Sequence, residues 1–322
     1  MKNTALEHRC ANAGTISNPV TVTLDDQRSY TVSDVPCTSS EICVVPETSH
    51  IDVVGLLNVG ALVVKGSVSI STTATLCAGY ISIEDSGTFT VRVPSSNDQV
   101  YVYVKDNGLE KFGTKRFLRG SGSSLISIEG STLARTWSLL SETALSGSNT
   151  IKLMHDPIAM GWQIGDRVVI APMLPRSSGD ADACSILNIA NNQLTLDCTL
   201  NHDRVFTSYF EEDSQAMGLL SAEVIHLTRN VVITGDDQTL ENCIGRTDVN
   251  PGVTTCTYGL HTMSTGVGSF KLSYTRVEKC GQRGILGKYC AHLHLMQNCP
   301  TCLIRGNAFE HGHQRAVVVH GP

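Results

Sequence analysis

Five histidines, His292, His294, His311, His313 and His320, fall close together near the end of the chain. Around them stand Lys271, Arg276, Lys279, Arg283, Lys288, Arg305 and Arg315, with only Glu278 and Glu310 as acids over residues 270–322. This stretch carries a balance of +5, whereas residues 1–269 hold 17 basic and 28 acidic side chains. A neutral imidazole can take or give a proton near pH 7, and an arginine can grip a carboxylate with two parallel hydrogen bonds. A cationic, histidine-rich end on an acidic body points to an anionic ligand. Uronic-acid polysaccharides, which present carboxylates at regular intervals, fit that chemistry.

The spacing refines the reading. In Ala291-His292-Leu293-His294-Leu295-Met296 the types alternate, so a strand sets His292 and His294 on one face and Leu293 and Leu295 on the other. With the leucines inward, the two histidines project outward, onto the same sheet as His261. In the stretch from His311 to Gly321 the apolar run Val317, Val318, Val319 obscures the pattern, and a regular strand would let only one of Arg315 and His320 face outward. The candidate catalytic residues are His292, His294, Arg315, His320 and Asp166 of a Trp-x-x-Gly-Asp step, where Gly-Asp also serves simply as a turn. The candidate substrate-binding residues are Arg283, Arg305, Lys288, His261 and His313. The acidic groups Glu211-Glu212-Asp213 and Asp236-Asp237 could hold calcium but lack the spacing of an EF-hand loop. No phosphate-binding loop, GxSxG elbow, HExxH helix or dinucleotide fingerprint is present.

The elements that must position these groups are strands. Short runs rich in Val, Ile, Leu and Thr alternate with turns drawn from 28 glycines and from Ser, Asn and Asp. From Val53 to Val93 strands recur about every ten residues, which suits a sandwich, a barrel or the first coils of a solenoid. The segment 162–172 reads as a further strand entered through the Gly165-Asp166 turn, and Phe210 to Glu223 is the one candidate helix. Near the end an internal repeat appears: Leu260-His261-Thr262-Met263 recurs as Leu293-His294-Leu295-Met296 at an offset of 33. Glu278, Gln282 and Arg283 recur as Glu310, Gln314 and Arg315 at an offset of 32. A period near 32 with three short strands describes coils of a right-handed parallel β-helix, with His261 beside His294 and Arg283 beside Arg315. The expected divisions are an N-terminal β extension over 1–42, a β domain over 43–170, a hairpin and loop insertion over 171–221, and β-helix coils over 222–322.

Twelve cysteines in 322 residues suit an oxidising compartment. Cys184 and Cys198 flank a hairpin centred on Asn191-Asn192, which sets them opposite each other within disulfide reach. For Cys290, Cys299 and Cys302 zinc is the alternative to disulfides. The longest apolar stretch, Val53 to Val64, is too short to span a bilayer, and the first twenty residues show no apolar signal-peptide core. The closing Val317-Val318-Val319-His320-Gly321-Pro322 reads as an interrupted strand, as expected of a piece of a longer chain.

Several motifs together resemble a known family. Leu76-Cys77-Ala78-Gly79-Tyr80-Ile81-Ser82-Ile83-Glu84, the segment 162–171, the Leu227-Thr228-Arg229-Asn230 step, 281–296 and 313–321 are similar to the domain named for its eight glycines and to the β-helix beyond it. These occur in the cell-migration-inducing hyaluronan-binding protein, the related transmembrane hyaluronidase and the fibrocystins. The resemblance covers about residues 43–322. It implies an extracellular or cell-surface protein that binds hyaluronan and, in its enzymatic members, depolymerises it with calcium; the alternative is a non-catalytic, fibrocystin-like adhesion or receptor module. His292 and His294 match the family's His-x-His pair, Arg315 and His320 its Gln-Arg and His-Gly positions, and Asp166 its Gly-Asp step. The expected partner is an anionic polysaccharide such as hyaluronan, with no nucleic acid and no membrane segment in this chain.

Overall fold

The structure, a computed structural model, describes residues 10, 14–173, 181–211 and 216–321. Three parallel sheets of eight, seven and six strands dominate it. The first sheet stacks Thr21–Thr23, Ile42–Val45, Ala61–Val64, Ile81–Ile83, Phe117–Gly120, His261–Gly266, Ala291–Met296 and Val317–His320. From Ile42–Val45 onward the chain passes from a first-sheet strand to the second sheet, then to the third, and returns to the first one rung further on; in the coil before it the 3-10 turn Val32–Asp34 stands where the third-sheet strand would be. That path is a parallel β-helix, as the repeat implied. Its coils begin at the N-terminal end of the described chain, well ahead of the expected start at residue 222.

The alternation of the strands explains the packing. Cys43, Val45, Leu62, Val64, Ile81, Ile83, Leu118, Ala291 and Leu293 of the first sheet point inward and meet Ile126, Ile128, Phe270 and Leu272 of the second. Rungs lie about 4.8 Å apart, so like residues stack on like. At the corner entering the second sheet, register aligns Ser49, Gly66, Gly87, Ser124 and Gly268. A Cβ on Gly87 would collide with the carbonyl oxygen of Val64 in the coil below. Small residues recur there because the backbones of successive coils touch.

Residues 132–228 form a second compact unit, inserted between a second-sheet strand and the third-sheet strand of the same coil. The structure thus divides the chain differently from the sequence boundaries at 43, 171 and 222, because contacts in space join residues up to 131 with those from 229 onward. At re-entry Asn230 donates from Nδ2 to the carbonyls of Val93, Ser95 and Asp98, while its Oδ1 accepts from the Ser131 amide. The Arg229-Asn230 step is therefore a tie between coils. The second unit is a six-stranded antiparallel sheet over Leu140, Leu153, Trp162, Val168 and Val224. Within it the strand Arg167–Ile170 follows the Gly165-Asp166 turn as read. The expected helix over 210–223 is instead extended: Thr207–Glu211 pairs with Ala216–Leu220, and Glu223–His226 joins the larger sheet. Residues 212–215 lie outside the described residues. Helical pieces among the described residues are limited to Val32–Asp34 and Pro157–Met160.

All twelve cysteines are paired: Cys10–Cys77, Cys37–Cys43, Cys184–Cys198, Cys243–Cys256, Cys280–Cys290 and Cys299–Cys302. The Cys184–Cys198 bridge crosses the hairpin as its spacing implied. The thiolates that zinc would need at Cys290, Cys299 and Cys302 are consumed by disulfides.

Candidate functional site

The site lies on the outward face of the first sheet. Register places Arg119 beside Met263, Met263 beside His292, and His294 beside His320. The first-sheet strands His261–Gly266 and Ala291–Met296 pair at an offset of 29, so His294 neighbours Thr265 and not His261. The 32-residue offset holds on the third sheet, where Glu278 pairs with Glu310. The difference arises between the first and second sheets, where the strand Ala291–Met296 carries one extra residue at its irregularity and the link that follows it is longer than the one after Gly266.

Those loops cover the face. The loop 279–290, closed by Cys280–Cys290, brings Gln282, Lys288 and Tyr289 over it. Its segment around Gly284 and Leu286 is bonded to Asn250 and Asp248 of the preceding loop. Arg116 anchors that preceding loop from beneath, donating to the carbonyls of Asp236, Asp237 and Tyr258. The covering loops make His292 and His261 buried, at 2% and 0% exposure, although both point away from the β-helix interior.

The imidazoles form a chain. The Tyr289 ring meets His292 edge-on at 4.9 Å, His292 lies 4.9 Å from His294, and His294 stacks on His320 at 5.3 Å. His294 Nδ1 and His320 Nδ1 are 3.2 Å apart. His292 Nδ1 donates to the Gly287 carbonyl at 2.9 Å, and its Nε2 has no hydrogen-bond partner. Burial lowers the His292 pKa to about 4, only partly offset by the Gly287 bond, and the nearby His294, His320 and Lys288 lower it further. Burial, then His320, Arg119 and Lys288, lower that of His294 as well. At neutral pH His292 is an unprotonated imidazole, able to accept a proton or to ligate.

The face is also cationic. Arg119 and Lys288 are both held below their ordinary pKa, chiefly by burial. The Arg315 guanidinium sits 5.8 Å from the Tyr289 ring centre. Arg315 precedes the strand Val317–His320, so strand parity does not force a choice, and both Arg315 and His320 reach this neighbourhood. Arg119 and Tyr289 were missed by the sequence reading. The signal for Arg119 was an arginine inside the apolar strand Phe117–Gly120.

The remaining candidates lie elsewhere. Leu295 adopts φ 49° in an irregularity of the strand and is 47% exposed, so Met296 takes the inward place expected of Leu295. His261 is sealed, with Nδ1 beside Gln282 Nε2 at 3.2 Å. Burial and the cations Lys288 and Arg119 keep it unprotonated. Arg283 is exposed, and its amide donates to Thr257 Oγ1; it is set on the loop and not in a ladder with Arg315. Arg305 is on the second sheet beside Tyr274, a different face from the histidines. His313 is exposed in the loop before the last strand. Asp166 belongs to the second unit, where its carboxylate accepts from His226 Nε2 at 2.8 Å and from the Gln163 amide at 2.7 Å, so within that unit it closes a turn. Asp236 accepts from Tyr103 and the Asp106 amide, and Asp237 pairs with Lys279. Glu212 and Asp213 lie outside the described residues. Calcium demands oxygen ligands, and the donor group on this face consists of nitrogens, so the face does not fit that ion.

Comparison with known proteins bears out the resemblance. Residues 257–322, which hold His261, His292, His294, Arg315 and His320, match the family model described as CEMIP beta-helix. A G8 domain-containing protein of Dictyostelium discoideum is 26% identical over 295 residues, covering 89% of this chain and 17% of its own length. Human fibrocystin-L is 27% identical over 279 residues, 76% of this chain and 6% of its own. A second Dictyostelium discoideum G8 domain-containing protein is 24% identical over 282 residues, 86% of this chain and 21% of its own. The chain thus spans about a fifth or less of these relatives. Six disulfides agree with an extracellular or cell-surface setting. Among the described residues no helix is long and apolar enough to cross a membrane.

Proposed function

We propose that this face binds an anionic, uronate-bearing polysaccharide of the hyaluronan class and breaks it by β-elimination. The observation that carries the reading is the set of unprotonated imidazoles beside Arg119, Lys288 and Arg315. The guanidinium and ammonium groups neutralise the uronate carboxylate, which makes the C5 proton more acidic. A neutral imidazole takes that proton, the C4–O4 bond breaks, a C4=C5 double bond forms, and the departing oxygen takes a proton from a neighbouring acid. Hydrolysis would call for a pair of carboxyl groups flanking the bond. The acids near this face are engaged instead, Asp248 with Arg246 and Glu84 with Lys111. Calcium enters no step.

The test is incubation of the protein with size-defined hyaluronan, with and without calcium, following product length and the ultraviolet absorbance of unsaturated uronides. Shortened chains carrying that absorbance support elimination. Shortened chains without it point to hydrolysis and overturn the proposed chemistry. Retention of intact hyaluronan without cleavage favours the second reading, a non-catalytic glycan-binding module. That reading draws on the chain's similarity to fibrocystin-L and on the lack of a carboxylate pair on the face.

A further inference from the structure

We propose that His292, His294 and His320 form a three-imidazole site for a late first-row divalent metal ion, of which zinc is the representative. One ligand nitrogen from each residue can be chosen so that all lie within 4.8 Å of one another. The arrangement is built by the sheet: His292 and His294 are two residues apart on one strand and share its face, and His320 is in register with His294 on the next. The 3.2 Å between the Nδ1 atoms of His294 and His320 suits two ligands of one tetrahedral centre. With metal–nitrogen bonds of about 2.0–2.1 Å, neighbouring ligands in a tetrahedron stand roughly 3.3 Å apart.

His292 supplies the second observation. Its Nδ1 is committed to the Gly287 carbonyl, which fixes the tautomer and leaves a lone pair on Nε2. That nitrogen is buried with no partner, in a side chain only 2% exposed. A buried acceptor without a partner costs free energy, and a metal-bound histidine characteristically gives its other N–H to a carbonyl in this way. Three nitrogens and no carboxylate select zinc, copper, nickel or cobalt over calcium or magnesium. The cations Arg119 and Lys288, close enough to depress the pKa of His294, oppose a bare dication and favour an anion as the fourth ligand. The inference stands without glycan binding, and it is exclusive of the elimination above, because a lone pair given to a metal cannot also take the C5 proton.

The experiment uses tag-free protein, stripped with a chelator, and titrates Zn²⁺ by calorimetry and Co²⁺ by its ligand-field absorption. One ion per chain, the spectrum of a tetrahedral nitrogen-ligated centre and a rise in melting temperature with added zinc are expected. The double variant His294→Ala/His320→Ala removes two ligands that are not buried, so it should fold and lose at least about a hundredfold in affinity. His311→Ala and His313→Ala, exposed histidines outside the cluster, should leave affinity unchanged. Affinity that survives in the double variant, or that falls equally in the His311 and His313 variants, would overturn the proposal in favour of imidazoles bonded only to one another. Calcium that displaces the bound zinc would overturn the assignment of metal class.

Discussion

His292 is the side chain on this face with most to lose. It is buried under Tyr289, bonded to Gly287, and in ring contact with His294. Replacing it by Ala should lower stability by about 1–3 kcal/mol, since a hydrogen bond and packing go together. His294 and His320 are more exposed, and each Ala replacement there should stay within about 0.5 kcal/mol. The leucines divide the same way: Leu293→Ala should cost about 2–4 kcal/mol, whereas Leu295→Ala, at an exposed position, should cost little. Urea midpoints for the five single variants check the ordering; a costly Leu295→Ala would mean that the strand irregularity is misplaced. A buried lysine gives a pH signature. Lys105 is fully buried, donating to Asn58 Oδ1 at 2.9 Å and to the Ser39 carbonyl, and burial lowers its pKa from 10.5 to about 8. The unfolded chain therefore binds more protons between about pH 8 and 10.5, so this residue's contribution makes stability rise with pH across that window. The gain is on the order of 2–4 kcal/mol, complete above the unfolded pKa and lost as pH falls through 8. Denaturant melts from pH 7.5 to 10.5 should show the rise in the native protein and lose it in Lys105→Met.

At the scale of elements, the site depends on loops that the sheets do not themselves hold. The loop 236–260 carries its own hairpin, Thr239–Asn242 against Thr255–Tyr258, and its own disulfide. What fixes it to the coil is Arg116, whose guanidinium is 1% exposed and satisfies three backbone carbonyls. Arg116→Met should strand those carbonyls and destabilise the protein by about 2–4 kcal/mol. Hydrogen exchange should then speed up over 236–260 and over the loop 279–290 that is bonded to it, and exchange confined to global unfolding would count against the linkage. The loop 279–290 has a covalent staple in Cys280–Cys290. Replacing both cysteines by Ser should free Tyr289 and Lys288 from the histidines, weaken glycan retention, and spare the earlier coils.

Over the whole molecule, the fold is a stack whose coils meet through backbone as well as side chains. Gly66, Gly87 and Gly268 occupy one corner, and each would drive a Cβ into a carbonyl of the coil beneath. Gly87→Ala should therefore cost about 1–3 kcal/mol by overpacking, without any unusual dihedral being involved. Each coil is held mainly by its neighbours, so the loss should appear first as faster hydrogen exchange in the coils next to Gly87. Ala in place of Gly147, where a Cβ would meet nothing but a positive φ of 82° is required, should instead act only locally.

The kind of fold and the pairing of two histidines on one face were legible in the sequence. Alternation in Ala291–Met296 paired His292 with His294, because period two is a local property of any strand. The 32-residue recurrence of Glu278 at Glu310 gave a true rung, and the spacing around Asn191-Asn192 gave the Cys184–Cys198 bridge. Tertiary structure decided the rest. The link between strands changes length from coil to coil, so only the folded chain showed that Thr265, and not His261, neighbours His294. Burial of His292 and His261 comes from loops packed over an outward face, which no strand pattern encodes. Arg119 joins the site from a distant strand and Arg305 leaves it for another sheet, because membership depends on which coil and sheet a residue reaches in space.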